Sequence, residues 1–503
     1  MTTMIGPLRR ATQVGAERTA ITCGHLELTY GQTWDRCRRL VGALRGLGVG
    51  AGDRVAVLGP NCHRYLEIYQ SVPGAGMVLV PLNPRHTAAE LRYALEDSDA
   101  KVLFAGREVE GLRDSVERVV DLGDGYERLL ADAPVADFPE DLAEDALAGL
   151  FYTGGTTGAA KGVMLTHGNL VANALHFQVL WPFRPDTCWL LAAPMFHLAG
   201  SMAVLATVWN GGRQVVLPVF DPRAALDLVE SQRVSATLVV PTMLAAMSEE
   251  QLARPRDVST LRGICHGGAP IATATLYRAH LAFPDAQLVH IYGATETAPI
   301  ATTLRGGELV LDAPQALSCG QPAVGVEVAV AGPGGARLPS GEVGEVIIRG
   351  ANVMVGYWNK PEQTRAALVD GWYHTGDLGY MDEHAYLYLV DRAKDMIVTG
   401  GENVYSTEVE DVLYRHLAVL EAAVFAVPDP HWGEAVHAVV VPRAEVTENE
   451  LIRHCRTLIV GYKVPKRVEL RREPLPKSGA GKVLKRELRE PFWKDRTSRV
   501  AGT

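Results

Sequence analysis

Short apolar runs alternate with amphipathic stretches up to about residue 300, and this alternation limits the fold more than any other feature of the chain. Trp34, Cys37, Leu40, Val41, Leu44 and Leu47 recur at helical spacing, and Gly48 follows as a stop signal. Arg54 to Leu58 reads as a buried strand closed by Gly59-Pro60-Asn61. Met77 to Pro81 is a second apolar run, Thr87 to Leu95 an amphipathic helix, and Val102 to Ala105 another strand. The rhythm returns over 214–247, where Val215-Val216-Leu217 and Thr237-Leu238-Val239-Val240 flank a helical stretch. Strands that alternate with helices pair in parallel and are covered by those helices. The pattern therefore predicts an α/β fold.

After about residue 300 the pattern changes. Glu342 to Arg349 and Tyr386 to Asp391 look like strands between glycine-rich turns, as in an antiparallel or barrel-like piece. From residue 392 a smaller α+β unit follows, with helices near 408–416 and 448–459 and strands near 421–427, 437–442 and 467–471. A chain of 503 residues exceeds what one hydrophobic core serves. The expected domains are 1–391 and 392–503, divided at Asp391-Arg392.

A formal net charge of -9 argues against an extended nucleic-acid surface, which needs a basic excess. No apolar run reaches about 18 residues, so no membrane span is expected. The N-terminal stretch has no apolar segment after its charges and does not read as a secretory signal. The seven cysteines (Cys23, Cys37, Cys62, Cys188, Cys265, Cys319 and Cys455) are scattered and form no CxxC pair. They read as reduced thiols of a cytoplasmic protein, with no zinc spacing.

Five clusters carry chemistry. Tyr152-Thr153-Gly154-Gly155-Thr156-Thr157-Gly158-Ala159-Ala160-Lys161-Gly162 combines glycines, hydroxyls and a cation. Glycines let backbone N–H groups approach an anion, threonines donate to phosphate oxygens, and lysine adds charge. It is a phosphate-cradling composition, but not the Walker pattern, because Gly162 follows Lys161. Tyr292-Gly293-Ala294-Thr295-Glu296-Thr297 alone reads as a helix start. Gly371 to Asp377 places a carboxylate after a glycine turn, where it could grip a ribose diol or simply close an Asx-turn. Asp391-Arg392-Ala393-Lys394-Asp395 leads into Gly400-Gly401-Glu402-Asn403. Pro476 to Lys482 sets a cation at the tip of a glycine-containing loop.

In this order and at this spacing, the five clusters resemble the adenylate-forming superfamily of acyl-CoA synthetases, adenylation domains and luciferases. Within it the chain most resembles the fatty-acid–CoA ligases. The resemblance runs from Leu28-Thr29-Tyr30 to Lys482. It implies a large multi-sheet N-terminal domain with parallel-rich sheets and a small barrel, plus a small mobile α+β C-terminal domain. It also implies a two-step reaction with ATP, Mg2+ and coenzyme A. A carboxylate attacks the α-phosphate of ATP to give an acyl-adenylate and pyrophosphate, and a thiol then displaces AMP.

By this resemblance, the loop holding Thr153, Gly154, Gly155, Thr156, Thr157, Gly158 and Lys161 takes the β- and γ-phosphates. Gly268, Ala269 and Pro270, with Gly267 before them, border the adenine together with Tyr292 and Gly293. Thr295 meets the α-phosphate, and Glu296 holds Mg2+. Asp377 and Arg392 bind the ribose, and Lys482 bridges the acid's carboxylate and the α-phosphate. Asp391 is the hinge, about which Lys482 leaves and Gly400-Gly401-Glu402 arrives for thiol transfer. Gly154 stands where the family usually has serine, a loss of about one hydrogen bond, on the order of 1 kcal/mol net. Ala480 replaces a common serine or threonine.

His197 stands where amino-acid-activating relatives carry an aspartate, so an α-ammonium would lack a partner. A histidine there resembles the acyl- and aryl-CoA ligases, in which it lies beside the carboxylate. His197 to Ala203 and Pro241 to Met247 supply small apolar walls that suit a hydrophobic acid. No arginine is placed by sequence to pair a second carboxylate. Ten basic and four acidic residues over 463–490 form a local positive stretch, either a solvated helix face or an attractor for phosphates, with weak peripheral membrane contact as a further reading. The expectation is a fatty acyl-CoA synthetase. The alternatives are an aryl-CoA ligase for cinnamate- or benzoate-like acids, an acyl-AMP ligase loading a carrier protein, and a nucleotide-binding homologue without turnover.

Overall fold

The computed structural model describes residues 3–107, 111–153, 160–269, 271, 273–305, 313–392, 395–477 and 483–494. Local sequence signals set many helix starts. Thr29, Thr87 and Thr447 each accept a backbone N–H three residues on, and Gln32, Glu90 and Glu450 return the bond. These capping boxes open the helices Tyr30–Gly46, Ala88–Ser98 and Glu448–Leu458. In the first of them Cys37, Leu40, Val41 and Leu44 form the buried stripe that the periodicity predicts.

A nine-stranded sheet has a parallel centre. Its order runs Gln287–Tyr292, Gly263–Gly267, Ala236–Val239, Cys188–Leu191, Arg213–Val216, Thr19–Cys23. Antiparallel strands close both ends. A seven-stranded sheet is parallel through Leu147–Thr153, Val78–Leu82, Arg54–Leu58, Ala100–Ala105 and Arg118–Asp121. Lys161–Thr166 returns antiparallel beside Leu147–Thr153, and Gly356–Tyr357 pairs beyond it. Both sheets arise as the alternation requires, with near-continuous apolar strands buried on both faces.

The region expected to be barrel-like is a five-stranded sheet of Val326–Ala331, Gly344–Gly350, Trp372–Met381, Leu368–Val369 and Leu387–Arg392. A last five-stranded sheet is built on the long hairpin Val419–Asp429 and Gly433–Pro442. Its core joins Val424, Val436, Ala438 and Val440 to Val409, Leu413 and Leu451. By compactness the chain forms one unit of 1–268, 278–328 and 348–374 and another of 269–277, 329–347 and 375–503.

The first unit buries a charged group in its core. Glu67 is fully enclosed. Its carboxylate accepts from Arg36 at 2.7 Å and from the Tyr126 hydroxyl at 2.7 Å, and Arg36 also reaches Glu127 at 2.9 Å. Burial pushes the Glu67 carboxyl above its ordinary range, and Arg36 pulls it back. Arg36→Met should therefore cost about 3 kcal/mol, because it strands a buried charge. Denaturant unfolding of both proteins checks this, and a change under about 0.5 kcal/mol would mean that Glu67 does not depend on Arg36.

Candidate active site

In an open parallel sheet the loops that follow the strands gather at one edge, where ligands bind. The predicted residues of the first unit fall there. Pro194 to His197 follows Cys188–Leu191, Gly268 follows Gly263–Gly267, and Gly293, Thr295 and Glu296 follow Gln287–Tyr292. An open cavity of about 590 Å3 lies at the opposite edge, among Arg184, Arg213, Arg233 and Arg262, and none of the predicted residues lines it.

Thr295-Glu296-Thr297 is a single 3-10 turn rather than the start of a long helix. Gly293 is required just before it, since a Cβ there would come within 1.8 Å of the Pro299 carbonyl oxygen. The buried Thr297 hydroxyl accepts from Ala294 N–H at 3.0 Å. Asn352, also buried, donates to the carbonyls of Thr297 and Ile300 at 2.7 Å each. Glu296 is half-buried, and its Oε1 accepts from the Tyr357 hydroxyl at 2.9 Å. Burial, then the Glu296 charge, push the Tyr357 hydroxyl well above its usual range, so it stays a donor. Lys161 Nζ lies 4.6 Å from the centre of the Tyr357 ring. The structure thus brings Lys161, Tyr357 and Glu296 together. Thr153 pairs antiparallel with Lys161, so the two described ends of the predicted phosphate loop lie side by side.

His197 is half-buried as a residue, but its Nε2 is wholly enclosed and has no hydrogen-bond partner among the described residues. Burial, followed by the charges of His86 and Arg85, pushes its pKa down to about 4. The ring is neutral near pH 7. Arg85 and His86, which the sequence reading did not connect with His197, act on it electrostatically.

In the second unit, Asp377 and Arg392 face each other in register on adjacent strands, with Arg392 Nε 3.1 Å from the Asp377 carboxylate. Asp391 is buried and accepts from the backbone N–H of Arg392 at 2.8 Å and of Ser406 at 2.5 Å. Lys485 donates to the Ser406 hydroxyl at 2.6 Å and pairs with Glu410 at 2.8 Å. Burial raises the Asp391 carboxyl, and Lys485 opposes that shift. Ala269 belongs to the segment 269–277 of this unit. Gly154, Gly155, Thr156, Thr157, Gly158, Pro270 and Lys482 lie outside the described residues.

Tyr357, Asn352 and Asn61 were not foreseen. Asn61 was read only as a turn residue. A possible signal for Tyr357 was its aromatic, glycine-flanked setting in Gly356-Tyr357-Trp358, but no motif singles it out.

The depressed His197 pKa gives a signed expectation. The unfolded ring takes a proton below about pH 6.5, whereas the folded ring resists until pH about 4. Its contribution to stability is therefore full above pH 6.5 and falls as the pH drops toward 4. The stability advantage of wild type over His197→Asn should shrink by about 2 kcal/mol between pH 7.5 and pH 5. Urea unfolding at both pH values measures it, and a constant gap would mean an exposed, normally titrating ring.

Comparison with known proteins agrees with this geometry. Residues 8–358 match the AMP-binding enzyme family, and residues 408–482 match the AMP-binding enzyme C-terminal domain. A feruloyl-CoA synthase of Amycolatopsis sp is 42% identical over 97% of this chain and 98% of its own. A fatty acid–[acyl-carrier-protein] ligase of Streptomyces coeruleorubidus is 37% identical over 96% of this chain and 95% of its own. The ATP-bound crystal structure of MatB from Rhodopseudomonas palustris superposes with a TM-score of 0.90 at 31% identity, covering 98% of this chain and 99% of that one. Together these matches cover most of the chain, and the chain belongs to the family of AMP-binding enzymes.

Proposed function

We propose that this chain is an AMP-forming acid–thiol ligase that converts an aryl carboxylic acid of the hydroxycinnamate class into its coenzyme A thioester. The likeness to feruloyl-CoA synthase, 42% over nearly the whole of both chains, carries the choice of acid. A fatty acid is the second reading. It is favoured by the apolar walls and by the 37% identity to a fatty acid–[acyl-carrier-protein] ligase.

Neither step of the reaction needs a protein nucleophile, so the protein contributes positioning and charge. In the first step an oxygen of the acid forms a bond to the α-phosphorus, and the bond from that phosphorus to the bridging oxygen breaks. Pyrophosphate leaves and the acyl-adenylate remains. Lys482 neutralises the charge that gathers between the carboxylate and the α-phosphate. The segment from Thr153 to Lys161 holds the outer phosphates, and Thr295 donates to the inner one. The pair Asp377 and Arg392 binds the ribose. In the second step the thiol sulfur bonds to the acyl carbon, AMP leaves with the electron pair of the broken mixed anhydride, and the thiol proton is released.

Glu296 offers the hard oxygen that Mg2+ takes. Bound there, Mg2+ offsets phosphate charge. Tyr357 orients the Glu296 carboxylate through its hydroxyl. Asp391, which lies within the second compact unit, serves as a hinge between the two steps. Its carboxylate is anchored to Ser406, which makes it a defined point about which the backbone can turn.

Pyrophosphate release with ATP and Mg2+, across hydroxycinnamates, benzoates and fatty acids with and without coenzyme A, tests the reading. Release with hydroxycinnamates accompanied by thioester formation is expected. Preference for fatty acids would select the second reading, and release without use of coenzyme A would point to a carrier protein. Lys482→Ala should lower adenylate formation by about 100-fold or more while sparing thioester formation from supplied acyl-adenylate. Equal loss in both steps would overturn its role. Asp391→Pro should slow the thioester step more than the adenylation step, in separate single-turnover assays. Equal slowing would move the hinge elsewhere.

A further inference from the structure

Asn61 is 4% exposed and follows the strand Arg54–Leu58 of the seven-stranded sheet. Its side chain leaves that sheet. Nδ2 donates to the carbonyls of Leu191 at 3.3 Å, Ala193 at 3.0 Å and Leu217 at 3.2 Å. Oδ1 accepts from Met195 N–H at 2.8 Å. The Asn61 backbone N–H donates to Pro218 at 3.2 Å. All the neighbours of Nδ2 are acceptors and the neighbour of Oδ1 is a donor, so the amide has one orientation only.

These partners belong to the ends of two strands of the nine-stranded sheet, Cys188–Leu191 and Arg213–Val216, and to the segments that leave them. The segment after Leu191 leads directly to His197. Its turn is tight. His197 N–H donates to Pro194 at 3.2 Å, and Gly200 N–H to His197 at 2.9 Å. A Cβ on Gly200 would come within 2.1 Å of the Pro194 carbonyl oxygen. A turn packed this closely has no slack, so its position is set by what holds its entry at Ala193 and Met195. Among the described residues, one side chain, that of Asn61, holds both.

We propose that Asn61 is the positioning residue of the acid-binding site, acting through the Ala193–Met195 backbone to fix His197. This rests on the reading that His197 lies beside the bound acid. Among the described residues, the side-chain hydrogen bonds of Asn61 all go to 191–195 and Leu217, so its effect is expected on the acid rather than on ATP. A group misplaced by about 1 Å at a reaction centre can cost as much as 100-fold in rate.

The test has two readouts on Asn61→Ala, with Asn61→Gln as a second variant should the first fold poorly. Hydrogen exchange by mass spectrometry is independent of substrate. Peptides covering 192–200 should lose protection, while peptides covering 290–298 keep theirs. Unchanged protection over 192–200 overturns the proposal, whatever the enzyme's substrate. In steady-state assays with the best acid of the panel, the KM for the acid should rise about tenfold or more while the KM for ATP stays within about twofold. Parallel rises in both would reduce Asn61 to a general support of the fold. Combining Asn61→Ala with His197→Ala should add little to the single His197→Ala defect, since both changes remove the same placement. Fully multiplicative losses would show that Asn61 acts elsewhere. Wild-type enzyme silent on every acid, with loss of protection over 192–200 in the variant, would refute the functional reading and not the positioning one.

Discussion

Where parallel strands end, their last carbonyls and the N–H groups of the departing loops lose their ladder partners, yet they remain buried and must be satisfied. This protein meets that constraint with asparagine side chains. Asn61, Asn169 and Asn352 are buried, and each bonds to backbone groups far away in sequence. Asn169 donates to Ala351 and Val353 at 2.8 Å and 2.9 Å, on either side of Asn352. Asn352 then donates to Thr297 and Ile300. The loop with Glu296 is thus held through two amides in series. A short primary amide suits this work, because it offers donors and an acceptor without a charge that burial would penalise.

The same avoidance of buried charge shapes the acid side. Burial alone lowers a histidine pKa. At His197 the charges of His86 and Arg85 lower it further, to about 4. A neutral imidazole beside a carboxylate can hydrogen-bond to it without forming an ion pair that would weaken it as a nucleophile. In the proposed mechanism positive charge is instead placed where phosphate charge develops, on Lys161 and, by motif, on Lys482. On that reading His197 orients and the lysines neutralise, a division set by environment rather than by residue type alone.

Much of the architecture was legible because parallel strands are buried on both faces and announce themselves as apolar runs. The runs at Arg54–Leu58 and 437–442 fell within the strands Arg54–Leu58 and Gly433–Pro442. The helix read near 408–416 begins at Ser406, two positions earlier, because its first turn is polar and carries no periodic signal. The site was legible where chemistry clusters in sequence, as in Thr295-Glu296. It was illegible where partners meet only through the fold. Asp377 and Arg392 face each other by strand register, Lys161 meets Tyr357 through a short edge pairing, and Asn61 reaches carbonyls more than a hundred residues away. No local pattern encodes a side-chain amide aimed at a distant backbone. Only family resemblance linked the ribose pair, and nothing in one sequence singled out Asn61.

The anchoring also separates two functions that share one sheet edge. The groups expected to meet the nucleotide are held through Asn352 and Asn169. The turn expected to meet the acid is held through Asn61. Among the described residues these side-chain bonds form two separate sets. Substitutions around the His197 turn can then reshape the acid pocket while the Glu296 turn keeps its geometry. Relatives named for an aryl acid and for a fatty acid both align along nearly the whole chain, which is what such a separation permits.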